Sequence, residues 1–235
     1  MPGFLGIGEM DFVRLIKSVP SGVLLVTFHV RGCGQSKPPD RAFPLDFYQQ
    51  DADDCACMME QLGFKQYSVL GWCLGGISAT VLAADHPQNV KNLILLSSRA
   101  LLTKQDLDRL ETLKDVTTFK PKILRDLILA YGDVEMAQST WSSFINTFFE
   151  IFNRGGDMCQ SKLSKIQCPT AILQGVGDVL VPSFHAQYLH DHIDQSHLYM
   201  ISDGLHALLQ QFPAKIQKLI EALLIEGVFV PWDKL

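Results

Sequence analysis

Basic charge is scarce in this chain of 235 residues: 20 Lys and Arg stand against 25 Asp and Glu, a formal charge of −5. A nucleic-acid surface needs clustered cations to neutralise phosphates, and there is no such footprint, so no nucleic acid is expected as a partner. Long hydrophobic runs are missing too. None reaches the roughly 18 residues a membrane helix requires, so no membrane partner is expected either. The six cysteines form no C-x-x-C pair, and the start carries neither a secretory leader nor an Arg-rich transit segment. A reduced, soluble, intracellular protein follows, cytoplasmic or mitochondrial, and a monomer is the expectation. Repeats and low-complexity stretches are absent as well. With 47% hydrophobic and only 19% charged residues, the chain has ample material for a large core and too little charge for disorder.

What is present alternates between two periodicities. GVLLVTF (Gly22–Phe28) reads as a short buried strand, followed by the Gly/Pro loop RGCGQSKPPD. Phe47, Ala52, Cys55, Met58, Met59 and Leu62 form a helical stripe closed by Gly63. YSVLGW (Tyr67–Trp72) is strand-like, GGISATVLAADHP (Gly75–Pro87) is a helix of small residues stopped by proline, and NLILLSS (Asn92–Ser98) is a strand again. Such alternation predicts a mainly parallel sheet with helices on both faces. From Leu101 to Lys165 the pattern is helical only, which predicts an inserted cap over residues 101–165. The α/β core is expected over 1–100 and 166–235. Its second part holds the strand Pro169–Gly175, the helix Ser183–Ile193, the strand Ser196–Ser202 and a last helix from about Phe212 to Ile225.

The chemistry concentrates at Gly71-Trp72-Cys73-Leu74-Gly75, a strand running through a sharp turn into a helix. This is the pattern G-x-nucleophile-x-G with cysteine at its centre, where flanking side chains would collide and the helix N-terminus favours a thiolate. A buried structural cysteine in a Gly-rich turn is the plainer alternative. Two further strand ends weigh against it. VGDVLVP sets Asp178 in the loop after one strand, and SDGLHALL sets His206 in the loop after the next. Nucleophile, acid and histidine therefore occur in the chain order of α/β-hydrolases, 105 and 28 residues apart. All three fall where open α/β sheets bind ligands.

Nearly the whole chain resembles the biphenyl hydrolase-like (valacyclovir hydrolase) family of α/β-hydrolases. The resemblance is carried by PGFLGIGEMDF, RGCGQSKPPDRAFPLDFYQQDA, LGWCLGGISA, IQCPTAILQGVGDVLVPSFHAQYLH and SDGLHALL. It implies an α/β-hydrolase fold with a helical cap, catalytic roles for Cys73, Asp178 and His206, and oxyanion donors at the backbone N–H groups of Leu74 and Phe4. It implies a small-molecule ester-type substrate and neither cofactor nor metal. Trp141, Phe144, Phe148 and Phe149 can be read as an acyl pocket or as ordinary helical core, and Trp72 joins Trp141, Phe144 and Phe148 as candidate pocket residues.

Four departures from the family qualify this reading. Position 73 normally holds serine. Leu74 stands where the amino-acid-ester members carry an acid, so a substrate ammonium would find no counter-charge. His29 replaces the aspartate of the usual WDPRG motif and is expected to shape its loop. Three strands that precede the PG loop in the fold are missing, one of them interior, so GVLLVTF should either pair directly with YSVLGW or leave ladder groups open. Two functions therefore stand: a hydrolase of small carboxylic esters, thioesters or lactones, or a catalytically weak or inactive relative acting as a binding or interaction module. Among lesser signals, Cys55 and Cys57 do not share a helix face. His185, His190, His192 and His197 lack metal-ligand spacing, and Cys33 lies in a loop that would expose it to oxidation.

Overall fold

Alternation along the strands decides which residues meet on each face of the sheet. In the computed structural model, which describes residues 1–235, two short helices α1 (Gly8–Asp11) and α2 (Val13–Ile16) precede α3 (Phe47–Gln61), β1 (Tyr67–Trp72), α4 (Leu74–Asp85) and β2 (Val90–Leu96). Three helices follow without a strand: α5 (Lys104–Glu111), α6 (Pro121–Tyr131) and α7 (Val134–Asn153). The core then resumes with β3 (Thr170–Gly175), α8 (Phe184–His192), β4 (Ser196–Ile201), α9 (Leu208–Gln211) and α10 (Pro213–Glu221). The four strands are parallel in the order β1-β2-β3-β4. Leu93, Leu95 and Ile172 point into the larger core with α3, α4, α5, α6 and α7. Ile94, Leu96, Ala171 and Leu173 point the other way, onto Leu208, Leu209, Ile216, Leu219 and Ile220. Helices thus cover both faces, the α/β arrangement the alternation predicts.

α4 is buried along nearly its whole length, from Leu74 to Ala84. Its small residues let it lie close against the sheet on one side and α3 on the other, which larger side chains would prevent. Apart from the last helix and the strand expected at Gly22–Phe28, the element boundaries fall within two residues of those read from sequence. The last helix differs most: α10 ends at Glu221 and continues as a π turn over Ala222–Glu226. No helix is long and apolar enough to cross a membrane.

The strand expected at Gly22–Phe28 is not formed. That segment runs without regular structure, with Leu24 73% exposed, and contacts the rest of the backbone through an antiparallel bridge between Ile7 and His29. A β-branched run becomes a strand only where an edge is within reach, and here Met1 occupies part of the edge of β1. The Met1 ammonium donates to the Leu70 carbonyl, and Trp72 N–H donates to the Met1 carbonyl at 3.3 Å. Below Met1 the edge borders an apolar groove of about 390 Å³, between β1 residues such as Tyr67 and Val69 and the segment Gly22–Val26. An open apolar surface of this kind takes up hydrophobic dyes. The folded chain is expected to enhance ANS fluorescence while its near-UV circular dichroism stays native; dye that stays dark on folded protein would show the groove closed in solution.

Candidate active site

The turn after β1 owes its shape to what glycine omits. Cys73 has φ 54° and ψ −118°, a left-handed conformation that a non-glycine residue holds only when its surroundings enforce it. A Cβ on Gly71 would lie 2.4 Å from the Gly75 carbonyl oxygen, and one on Gly75 would lie 2.2 Å from that of Met1. The turn is therefore pressed between its own helix and the Met1–Gly3 backbone, and Cys73 emerges half-exposed at the N-terminus of α4. Cys73 N–H donates to the Leu96 carbonyl at 3.0 Å, and Ser98 Oγ donates to the Cys73 carbonyl at 3.2 Å, fixing the turn from β2.

His206 and Asp178 come from the loops after β4 and β3. His206 Nδ1 lies 2.8 Å from Asp178 Oδ2, which leaves Nε2 for Cys73. Asp178 also accepts from Leu180 N–H at 2.8 Å, Val181 N–H at 3.0 Å and Gln174 Nε2 at 3.2 Å. Burial alone would raise the Asp178 carboxyl; the hydrogen bond and charge of His206, with the two backbone donors, outweigh it and hold it below the usual carboxylate range. Burial works against a His206 imidazolium as well. The neighbouring Cys73 and then Asp178 overcome that cost and raise His206 to about 10. The His206 carbonyl is itself pinned by Trp72 Nε1 at 3.0 Å and Ser97 Oγ at 3.2 Å.

Leu74 is the first residue of α4, so its N–H has no intrahelical acceptor. Phe4 N–H makes no hydrogen bond within the protein. Its loop is brought to the turn by Gly3, where an added Cβ would lie 3.5 Å from that of Cys73. Two supports hold this loop: Gly3 N–H donates to buried Asp11 at 2.8 Å, and the Tyr131 hydroxyl of α6 donates to the Phe4 carbonyl. Burial lifts the Asp11 carboxyl to about 7, against the pull of the Gly3 amide.

The candidate pocket residues fall in two places. Trp72 lies against the His206 ring, centroids 5.5 Å apart. Trp141, Phe144 and Phe148 are buried in a continuous aromatic cluster whose hub is the Phe4 side chain: its ring stacks on Phe43 at 5.7 Å and meets Trp141 edge-on at 4.8 Å. Neither the apolar groove nor a polar surface groove lined by Phe43–Leu45 and Ser139–Glu150 of α7 touches Cys73, Asp178 or His206.

Cys33 corrects its sequence reading. It is fully buried, and burial pushes its thiol up to about 11, so the loop does not offer it to oxidants. His29 organises its own loop, accepting from Gln35 N–H through Nδ1 and pairing with Glu9 through Nε2. Sequence reasoning missed Gln174, a fully buried amide whose signal is a long polar side chain at the end of an apolar strand. It also missed Arg99 and Asp106, considered below.

A glycine-flanked turn after β1, with Asp178 after β3 and His206 after β4 of one parallel sheet, is the layout of an α/β-hydrolase. The alpha/beta hydrolase fold family matches residues 1–129, and the chain belongs to that family. Within it the chain is a biphenyl hydrolase-like protein. It is 36% identical over 227 residues to serine hydrolase BPHL of Mus musculus and 35% identical to that of Homo sapiens, covering 95% of this chain and 77% of each relative. Among solved structures it is similar to a serine hydrolase involved in carbazole degradation (TM-score 0.74, 20% identity, 95% of this chain and 87% of that one). A hydrolase from Pseudomonas aeruginosa PA01 is also similar (TM-score 0.73, 17% identity, 95% and 88%). Both of these likenesses speak to the fold alone.

Proposed function

We propose that this chain hydrolyses small carboxylic esters, thioesters or lactones through a Cys73–His206–Asp178 triad and an S-acyl intermediate. The observation that carries the proposal is the 2.8 Å His206–Asp178 hydrogen bond beside a cysteine held at φ 54°. The Cys73 thiolate attacks the carbonyl carbon, forming the C–S bond and placing the π pair on oxygen. The N–H groups of Leu74 and Phe4 receive that oxyanion. Collapse expels the alcohol or thiol, which takes the Nε2 proton of His206. Neutral His206 then accepts a proton from water as the water attacks the thioester. Cleavage of the C–S bond releases the acid and restores the thiolate and imidazolium. Asp178 fixes the ring and stays ionised throughout. Leu74 beside the nucleophile favours acyl groups without a positive charge.

A His206 pKa near 10 keeps the ring protonated through neutral pH, a positive charge held beside Cys73. On the triad reading, alkylation of Cys73 by iodoacetamide is expected to proceed at pH 6 as well as at pH 8. Exposed Cys57 serves as the internal reference. Site-resolved mass spectrometry reads both, and parallel pH curves at the two cysteines would refute an activated nucleophile. As pH rises through about 10, His206 loses its proton, and turnover of esters with poor leaving groups should decline. The second reading, a binding module of weak or absent activity, draws on the closed aromatic cluster around Phe4, which leaves Trp141, Phe144 and Phe148 packed.

A further inference from the structure

The loop that carries Asp178 is gripped by charged side chains on and beside α5 that the proposed mechanism does not use. Arg99, just beyond β2, is 7% exposed and divides its guanidinium between two partners. Nη1 lies 2.8 Å from Asp106 Oδ1 on α5, and Nη2 donates to the Leu180 carbonyl at 2.6 Å. Leu180 is thus held at its carbonyl by Arg99 while its own N–H holds Asp178 at 2.8 Å. One turn further along α5, Arg109 Nε donates to the Val179 carbonyl at 3.0 Å. Asp106 also caps α5 with Thr103 and takes His185 Nε2 of α8 at 2.9 Å.

The charges in this set compensate one another. Burial would raise Asp106, but His185 and Arg99 bring it down to about 2. Burial lowers His185 against the pull of Asp106, so the ring stays neutral and the buried Arg99–Asp106 pair holds one cation and one anion. A structural ion pair could sit anywhere in the cap. This one ends on the Leu180 carbonyl, and Arg109 holds that of Val179 beside it, the two residues that follow the acid.

We propose that Arg99, Asp106 and Arg109 are positioning residues for Asp178, a clamp by which the first cap helix sets the acid loop and through it the Asp178–His206 hydrogen bond. The proposal rests on the triad reading. If the cap shifts, α5 carries the Val179 and Leu180 carbonyls with it, and the acid loses the geometry that keeps His206 protonated beside Cys73.

The test uses the full chain with Arg99→Lys, which keeps the charge but loses the fork, and Arg109→Met at a half-exposed position where folding is not at risk. Asp178→Asn is the benchmark. Melting temperature, kcat and KM for p-nitrophenyl acetate, and the pH profile of Cys73 alkylation are measured for each. Arg109→Met is expected to lower kcat ~3–10-fold and Arg99→Lys ~10–100-fold with KM little changed, the scale of a small misplacement of a reacting group. In both, alkylation at pH 6 should fall towards that of Asp178→Asn, which a merely structural pair would not cause. Folded variants with the parent's kcat and alkylation profile would overturn the clamp, and if Arg99→Lys fails to fold, Arg109→Met decides alone. A parent with neither turnover nor alkylation at pH 6 overturns the triad reading, and the clamp with it.

Discussion

Cys73→Ala is expected to abolish p-nitrophenyl acetate hydrolysis while leaving the fold intact. The residue is half-exposed at the edge of the core, so the loss of one sulfur should cost about 1 kcal/mol, the ordinary scale of a single substitution. The catalytic cost is of another order. Without a nucleophile no acyl intermediate forms, and only the oxyanion donors and His206 remain; removal of a triad member elsewhere costs on the order of 10⁴- to 10⁶-fold in kcat. Cys73→Ser is the more informative partner. Serine is the ordinary residue of this turn, yet a hydroxyl needs a neutral His206 to take its proton, whereas the thiolate needs a protonated one. With Cys73 gone, the largest influence raising His206 disappears and its pKa falls. The serine variant should therefore acylate faster as pH rises through that lowered value, whereas acylation of the parent uses the protonated ring and should not. Burst kinetics and the pH profile of kcat separate the cases, and equal, folded inertness of parent and both variants would favour the binding-module reading.

Local chemistry made much of this site legible and concealed the rest. Gly71, Cys73 and Gly75 announce the turn because a sharp strand-to-helix reversal tolerates no Cβ at its flanks, and the distances at Gly71 and Gly75 are the physical form of that rule. Asp178 and His206 were legible through the apolar strands before them. The segment Gly22–Phe28 was misread for a corresponding reason. Its β-branched residues satisfy strand propensity, but propensity supplies no partner, and the edge it needs is bordered by Met1 and a groove. Arg99 and Asp106 were invisible because their meaning lies in contacts with residues 180 and 185, about eighty positions along the chain. Only the capping box at Thr103 could have marked Asp106, and that signal speaks of a helix start, not of an acid loop.

Gly75→Ala should damage both stability and catalysis, although helix propensity predicts the reverse. In an unconstrained helix the exchange gains roughly 1 kcal/mol. Here the new methyl would stand 2.2 Å from the Met1 carbonyl oxygen and 2.3 Å from that of Pro2, distances no real Cβ adopts, and both obstacles are backbone. Either the N-terminus of α4 or the Met1–Gly3 strip must retreat. Overpacking of this kind costs ~1–3 kcal/mol, which outweighs the propensity gain. The strip leads into Phe4, so its retreat would withdraw one of the proposed oxyanion donors, and loss of a single such donor lowers kcat about 10²- to 10³-fold. Gly22→Ala separates the two effects. Its φ of +82° imposes strain, but nothing lies within 4 Å of the added methyl, so it should lower the melting temperature without touching kcat. Retention of Cys73 alkylation in Gly75→Ala would show that the nucleophile survives while the donor is lost; a Gly75→Ala protein with the parent's kcat would mean that Phe4 N–H takes no part in the reaction.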